Sequence, residues 1–122
     1  MCIKSKVFFG KMMDFLPCTV ESYNKSIEEY GELLETVVIE DVFMPEIIKL
    51  VNEDENHKLL KETFNYFEVI VHFGEQDLVS NFQVTVLEIL GNDKVILKTA
   101  QKYMGEKTNA LQIEADRGLG RL

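Results

Sequence analysis

Apolar residues that return every three or four positions constrain this chain more than any other feature. From His57 to Phe73 it reads HKLLKETFNYFEVIVHF, with Leu60, Phe64, Phe67 and Ile70 or Val71 in helical register. Gly74 follows, a residue able to take the left-handed conformation that closes a helix. Asp77 can cap the next segment, where Val79, Phe82, Val86, Ile89 and Leu90 form one stripe that stops at Gly91. Asn92 or Asp93 caps a third, with Ile96, Leu97, Ala100, Tyr103 and Met104 inward and Gly105 at its end. Thr108 opens a fourth, with Leu111 and Ala115 on one side and Gly118 as its stop. Phe73-Gly74, Leu90-Gly91 and Met104-Gly105 thus share one grammar: a large apolar residue, a glycine, and a polar capping residue within about three positions.

The first half is less regular. Apolar residues at 8, 9, 12, 13 and 16 predict a helix over 4–16, ended by Pro17. Thr19 caps a long predicted helix from Val20 that carries Tyr23, Ile27, Tyr30, Leu34, Val37 and Val38, with Gly31 inside it at some cost. Pro45 suits the first turn of a further helix to Asn52. The run Thr36-Val37-Val38-Ile39 has strand-like residues, but helical spacing on both sides favours helix.

These segments predict an all-α fold of six or seven short helices in a single helical domain over residues 1–122. Short loops force neighbouring helices antiparallel. Hairpins begin near residues 57 and 93, a spacing typical of two-helix repeats. Helices stacked as antiparallel hairpins, helical-repeat-like, are therefore the first expectation, and an irregular helical bundle the alternative. A hydrophobic content of 46% with 28% charged residues supports a packed core. Cys2 and Cys18 are expected as free thiols in a reducing cytoplasm. Lys4 and Lys6 before Val7-Phe8-Phe9 imitate a secretory leader, but Lys11 and Asp14 break the apolar run. No window has the roughly 20 apolar residues of a membrane span, so a cytoplasmic location is expected.

The net charge of −8 is unevenly placed. Residues 21–55 hold eleven acids against Lys25 and Lys49, more than the whole excess, while both ends of the chain are slightly basic. Such a field repels phosphate, which argues against direct nucleic-acid binding and against anionic membranes. It attracts basic proteins and speeds their encounter. Acidity also serves solubility alone, and that is the commoner use.

The inventory for catalysis is thin. His57 and His72 lie at opposite ends of one predicted helix, roughly 22 Å apart, too far to share a metal. Glu68 and His72, at i and i+4, could touch one ion, which leaves a metal-dependent enzyme as a minor reading. No phosphate loop, dinucleotide fingerprint, Cys-x-x-Cys or HExxH motif occurs, and Gly118-Leu119-Gly120 reads as a frayed tail. The pairs Glu28-Glu29 and Glu40-Asp41 and the run Glu53-Asp54-Glu55 have no evident reason for shifted pKa values. Phe64, Tyr66, Phe67, Phe73 and Phe82 read as core. No cofactor, metal or catalytic residue is expected, and the chain reads as a binding protein rather than an enzyme.

Two stretches carry a resemblance. Residues 33–47, LLETVVIEDVFMPEI, and residues 84–93, VTVLEILGND, the latter followed by Ala100-Gln101-Lys102-Tyr103-Met104-Gly105, resemble a family of short bacterial domains of uncharacterised function, over roughly residues 32–120. Small acidic helical domains of this kind look like immunity proteins of contact-dependent and other polymorphic toxin systems. That resemblance implies an antitoxin that binds a basic toxin domain, often a nuclease, and blocks its active site. It carries over no catalytic motif.

The leading expectation is therefore an immunity protein that covers a cationic toxin through Glu28, Glu29, Glu32, Glu35, Glu40, Asp41 and Glu46. Such an interface buries about 800 Å² on each partner and needs an apolar centre. Tyr23, Tyr30 and Phe43 are the residues expected to supply it. A helical adaptor in a cellular assembly, working through a groove between hairpins, is the alternative.

Overall fold

The computed structural model describes residues 2–121. Seven helices occur among them: α1 (Ser5–Phe15), α2 (Val20–Tyr30), α3 (residues 35–53), α4 (His57–Phe73), α5 (residues 76–90), α6 (Lys94–Gln101) and α7 (Glu106–Gly118). A short 3-10 turn, Pro17–Thr19, joins α1 to α2. No strand forms among the described residues, and a lone parallel bridge ties Ile3 to Gly74 at the α4–α5 link. The fold is all-α.

A local side-chain cap marks two of the helix starts; Asp77, expected to cap α5, lies inside its first turn instead. The Asn56 side chain accepts from the Leu59 amide at the start of α4. Asp93 Oδ1 accepts from the amides of Val95 (2.8 Å) and Ile96 (3.1 Å) at the start of α6. Thr19 behaves differently from expectation: its hydroxyl donates to the Leu16 carbonyl (2.6 Å) and caps nothing. The long helix expected from Val20 is two helices. Gly31 takes φ +73°, a left-handed turn that ends α2 and starts the chain on a new course into α3.

Helix α3 shows how Pro45 is tolerated inside a continuous helix. Proline has no N–H, and its ring collides with the carbonyl four residues back. The backbone answers by widening: Glu35–Val38 is α-helical, Ile39–Phe43 is π-helical, and Met44–Glu53 returns to α. Helix α5 has a second π stretch, Gln83–Leu87, between Gln76–Phe82 and Glu88–Leu90. The two π stretches pack against one another. Val42, Phe43, Val86 and Leu87 are buried there.

The core is largely aromatic. Phe67 meets Phe64 at 5.0 Å and Phe82 at 5.1 Å, both edge-on, and Phe82 meets Phe8 at 6.2 Å. Phe9 stacks on Phe43 at 5.8 Å, and Tyr23 of α2 lies against both. Phe43 is 1% exposed, which removes it as a surface anchor. Phe73 is the opposite correction, half-exposed at the end of α4 rather than core. Packing is mostly between helices distant in the chain: α4 with α7, the second half of α3 with α6, α1 with α4, and α7 with the π stretch of α5. The irregular bundle, rather than successive stacked hairpins, describes these pairings.

The glycine closures have a different cause from the expected left-handed turn. Gly74, Gly91 and Gly105 all have negative φ (−68°, −77° and −74°). What each needs is the absence of a Cβ. At Gly74 a Cβ would lie 2.5 Å from the Ile70 carbonyl oxygen, at Gly105 2.5 Å from Glu68 Cδ, and at Gly91 2.5 Å from both Asp116 Oδ1 and Arg121 Nη1. Two of the three therefore make room for a charged side chain from elsewhere in the chain.

Burial separates the aromatics sharply. In urea unfolding, Phe43→Ala is expected to cost about 3–5 kcal/mol, and Tyr30→Ala no more than about 0.5 kcal/mol.

Candidate functional site

Helix α2 lies outermost in the bundle. None of its residues is fully buried, and Tyr23 is its main contact with the core. The tyrosine ring covers Phe9 and Phe43, and burial pushes its phenol pKa above the ordinary value. The remainder of α2 is presented to solvent, and its acidic residues follow from that placement.

Between α2 and the π stretch of α3 runs a hollow of about 170 Å³, lined by Ser22, Lys25, Ser26, Glu29, Tyr30, Asp41 and Val42. A second hollow beside it is bounded by Lys25, Glu28 and Glu29. The fold thus brings Glu28, Glu29, Tyr30 and Asp41 together from two helices. Among the described residues the ion pairs are Asp54 with His57, Asp54 with Lys102, and Asp116 with Arg121, so these three carboxylates carry no paired cation. Tyr30 is 49% exposed and Val20, at the start of the same helix, 42%.

The other expected contact residues are dispersed. Glu32 is exposed in the loop after α2, and Glu40 is exposed on α3. Glu35 is half-buried, accepts from the Ser5 hydroxyl, and lines a hollow with Lys4, Lys6, Glu75 and Asp77. Glu46 lies in another hollow with Leu16, Lys49, Leu50 and Glu53. It also neighbours Cys18, whose thiol pKa is raised by burial and then by the Glu46 carboxylate. Cys2 and Cys18 are both free and exposed. The acidic residues of positions 21–55 therefore occupy several separate places; Glu29 and Asp41 share a hollow with the Tyr30 ring, and Glu28 lines the one beside it.

Two further carboxylates are structural. Asp54, at φ +47°, ends α3 in the left-handed conformation that Asp tolerates better than most residues. Its side chain accepts from Lys102 Nζ (2.9 Å) and the Tyr103 hydroxyl (2.5 Å), tying α3 to the end of α6. Those two bonds hold its carboxyl below the ordinary range, contrary to the expectation for the 53–55 run. Glu68 Oε1 accepts from the Thr108 amide (2.8 Å) and hydroxyl (2.7 Å), and Oε2 from the Lys107 amide (2.9 Å). It caps α7 from another helix, because Gly105 at the N-cap has no side chain to do so. This overturns the pairing of Glu68 with His72: both carboxylate oxygens are engaged, and His72 packs edge-on against Phe73 at 4.2 Å. No group of three or more His, Cys, Asp or Glu among the described residues is placed to hold a metal ion.

Sequence reasoning also missed Arg121. Its guanidinium donates to the Glu88 carbonyl (3.1 Å), Asp116 Oδ1 (3.3 Å) and Asn92, so the segment after α7 is folded back rather than frayed. No local periodicity announces a residue that acts across thirty positions.

A family model described as a domain of unknown function, DUF7674, matches residues 9–119. The chain belongs to that family. The match takes in α2 and most of α1, so the family unit extends well before the stretch near residue 32 where the sequence resemblance begins, and it includes the whole α2–α3 groove. No curated protein and no solved structure matches the chain. No described helix of this DUF7674 domain is long and apolar enough to cross a membrane.

The capping of α7 has a pH signature. Burial pushes the Glu68 carboxyl upward, but the bonds from Lys107 and Thr108 outweigh it and leave the folded pKa below the ordinary value of 4.5. A depressed carboxyl pKa contributes stability that is complete above the unfolded value and is lost as pH falls through the folded one. Glu68→Gln is expected to be less stable at neutral pH and to show a shallower loss below about pH 4.5 in urea midpoints measured across pH.

Proposed function

We propose that this domain binds a cationic protein, with the partner docked on the groove between α2 and α3. The observation that carries the reading is that Glu29 and Asp41 share one hollow with the half-exposed ring of Tyr30 while Glu28 lines the hollow beside it, three carboxylates to the single cation Lys25, with no ion pair to any of them among the described residues. Carboxylates so placed attract lysine and arginine at long range and accept charge-assisted hydrogen bonds on contact. The ring supplies a flat surface on which a guanidinium stacks. It also replaces Phe43 as the apolar contact that a specific interface needs.

A basic toxin domain, and a nuclease above all, fits this chemistry best. Such an enzyme holds nucleic-acid phosphates with lysines and arginines, and carboxylates on the groove would take the places of those phosphates. The domain would then be an immunity protein, and its acidic charge would serve fast capture of a dangerous enzyme. Few enzyme requirements are met by the same surface: Glu28, Glu29 and Asp41 are exposed, and no histidine or cysteine lines the hollows beside them. A helical adaptor would use the same groove for a different partner, and would show no preference for basic toxin domains.

The test is association with basic nuclease toxin domains, followed by biolayer interferometry. Binding is expected to weaken as salt rises. Changing Glu28, Glu29 and Asp41 together to Lys should slow association by about 10- to 10³-fold. A complex whose association rate ignores both salt and the triple reversal would contradict the proposed surface, and the absence of any complex at low salt would contradict the immunity reading.

A further inference from the structure

A second cavity, built from different elements, is not used by the reading above. It lies at the turn between α5 and α6, has a volume of about 310 Å³, and is lined by Gly91, Asn92, Lys94, Leu97, Asp116 and Arg121. That is the lower end of the size range of ligand pockets, suited to a small molecule.

Its polar groups are unevenly satisfied. Asp116 is only 4% exposed. Its Oδ1 accepts from Gln112 Nε2 (3.1 Å) and Arg121 Nη1 (3.3 Å), whereas Oδ2 has no partner among the described residues. Oδ2 is not among the fully buried oxygens that lack a partner, so it keeps access to the cavity that Asp116 lines. Gln112 stands directly behind, fully buried, and its Oε1 is likewise unpartnered. Arg121 is locked into the wall by the Glu88 carbonyl and Asn92 as well as Asp116, so its charge is matched. Lys94, at the rim, has no ion pair among the described residues. Leu97 provides an apolar side. The cavity thus offers a carboxylate oxygen that takes no bond from a described residue, the exposed Lys94 ammonium, and the apolar side chain of Leu97.

We propose that this cavity binds a small apolar α-amino acid as its zwitterion. The ligand ammonium donates to Asp116 Oδ2, the ligand carboxylate meets the Lys94 ammonium, and the ligand side chain lies on Leu97. Each ligand charge has one contact: the ammonium donates to Asp116 Oδ2, and the carboxylate pairs with Lys94, so a ligand that lacks either loses one of the two. Gly91 is part of the design, because any Cβ there would displace Asp116 and Arg121 from the wall.

The experiment is a two-dimensional amide NMR titration of the full chain with three probes: L-leucine, L-leucinamide, which lacks the carboxylate, and N-acetyl-L-leucine, which lacks the ammonium. Leucine should give saturable shifts at Gly91, Asn92 and Leu97, with each derivative at least about ten-fold weaker. Asp116→Asn would also loosen Arg121, so the variant of choice is Lys94→Gln, an exposed change that leaves the Asp116 network intact. It should bring leucine down to the affinity of leucinamide. The proposal is overturned by any of three results: no saturable shift with leucine up to about 10 mM, either derivative binding as tightly as leucine, or unchanged leucine affinity in Lys94→Gln.

Discussion

The carboxylate of Glu68 at the start of α7 is the constraint on which the arrangement of the second half depends. A helix that begins at a glycine has no side chain to receive its first amides, and those amides cannot be left dry. Glu68 supplies both oxygens to the Lys107 and Thr108 amides, and it approaches that closely only because Gly105 has no Cβ. Its negative charge is also favourable at the positive end of the α7 dipole. α7 is thereby fixed along α4 and the π stretch of α5 instead of folding back on α6 as a simple hairpin. The same device recurs at Gly91, where Asp116 and Arg121 close on the turn between α5 and α6, and with Asp54, which fastens α3 to the end of α6.

Because the polar clamps and the aromatic core join α1, α3, α4, α5, α6 and α7, helix α2 is left as an attachment on the outside. It contributes Tyr23 to the core and little else, so its charge is not consumed by folding. That division separates two kinds of carboxylate that look alike in the chain. Asp54, Glu68 and Asp116 hold the fold; Glu28, Glu29 and Asp41 are exposed and make no ion pair among the described residues. The cavity at Asp116 draws on other elements altogether, so a small ligand there and a protein on α2 would not compete for the same side chains.

Much of the fold was legible because helical periodicity and capping are local. The stripes of α4, α5 and α6 and the cap at Asp93 lie within a few residues of what they control. Three features were not local. Gly31 looked like a weak point inside one helix, and only the tertiary course of the chain makes it a break between two. Pro45 looked like a helix start, since nothing nearby states that a π stretch will absorb it. The glycine closures were correctly placed but wrongly explained, because the groups that exclude a Cβ at Gly91 and Gly105 come from tens of residues away. The candidate groove was half legible: acidity and Tyr30 were read directly, whereas Phe43 shares its spacing with surface residues and was assigned outward until packing placed it inside. Glu35 and Glu46 lie near the groove residues in sequence, but helix α3 carries them into other hollows.

Amide hydrogen exchange in the native state at Lys107 and Thr108 tests the cross-helix cap most directly. Amides in the first turn of a helix ordinarily exchange fast, since nothing within the helix accepts from them. Capped by Glu68, both are expected to exchange as slowly as core amides of α4 such as that of Phe67, through opening of the whole bundle. Exchange at the rate of an open helix start would show that Glu68 does not hold α7, and the bundle would need another explanation.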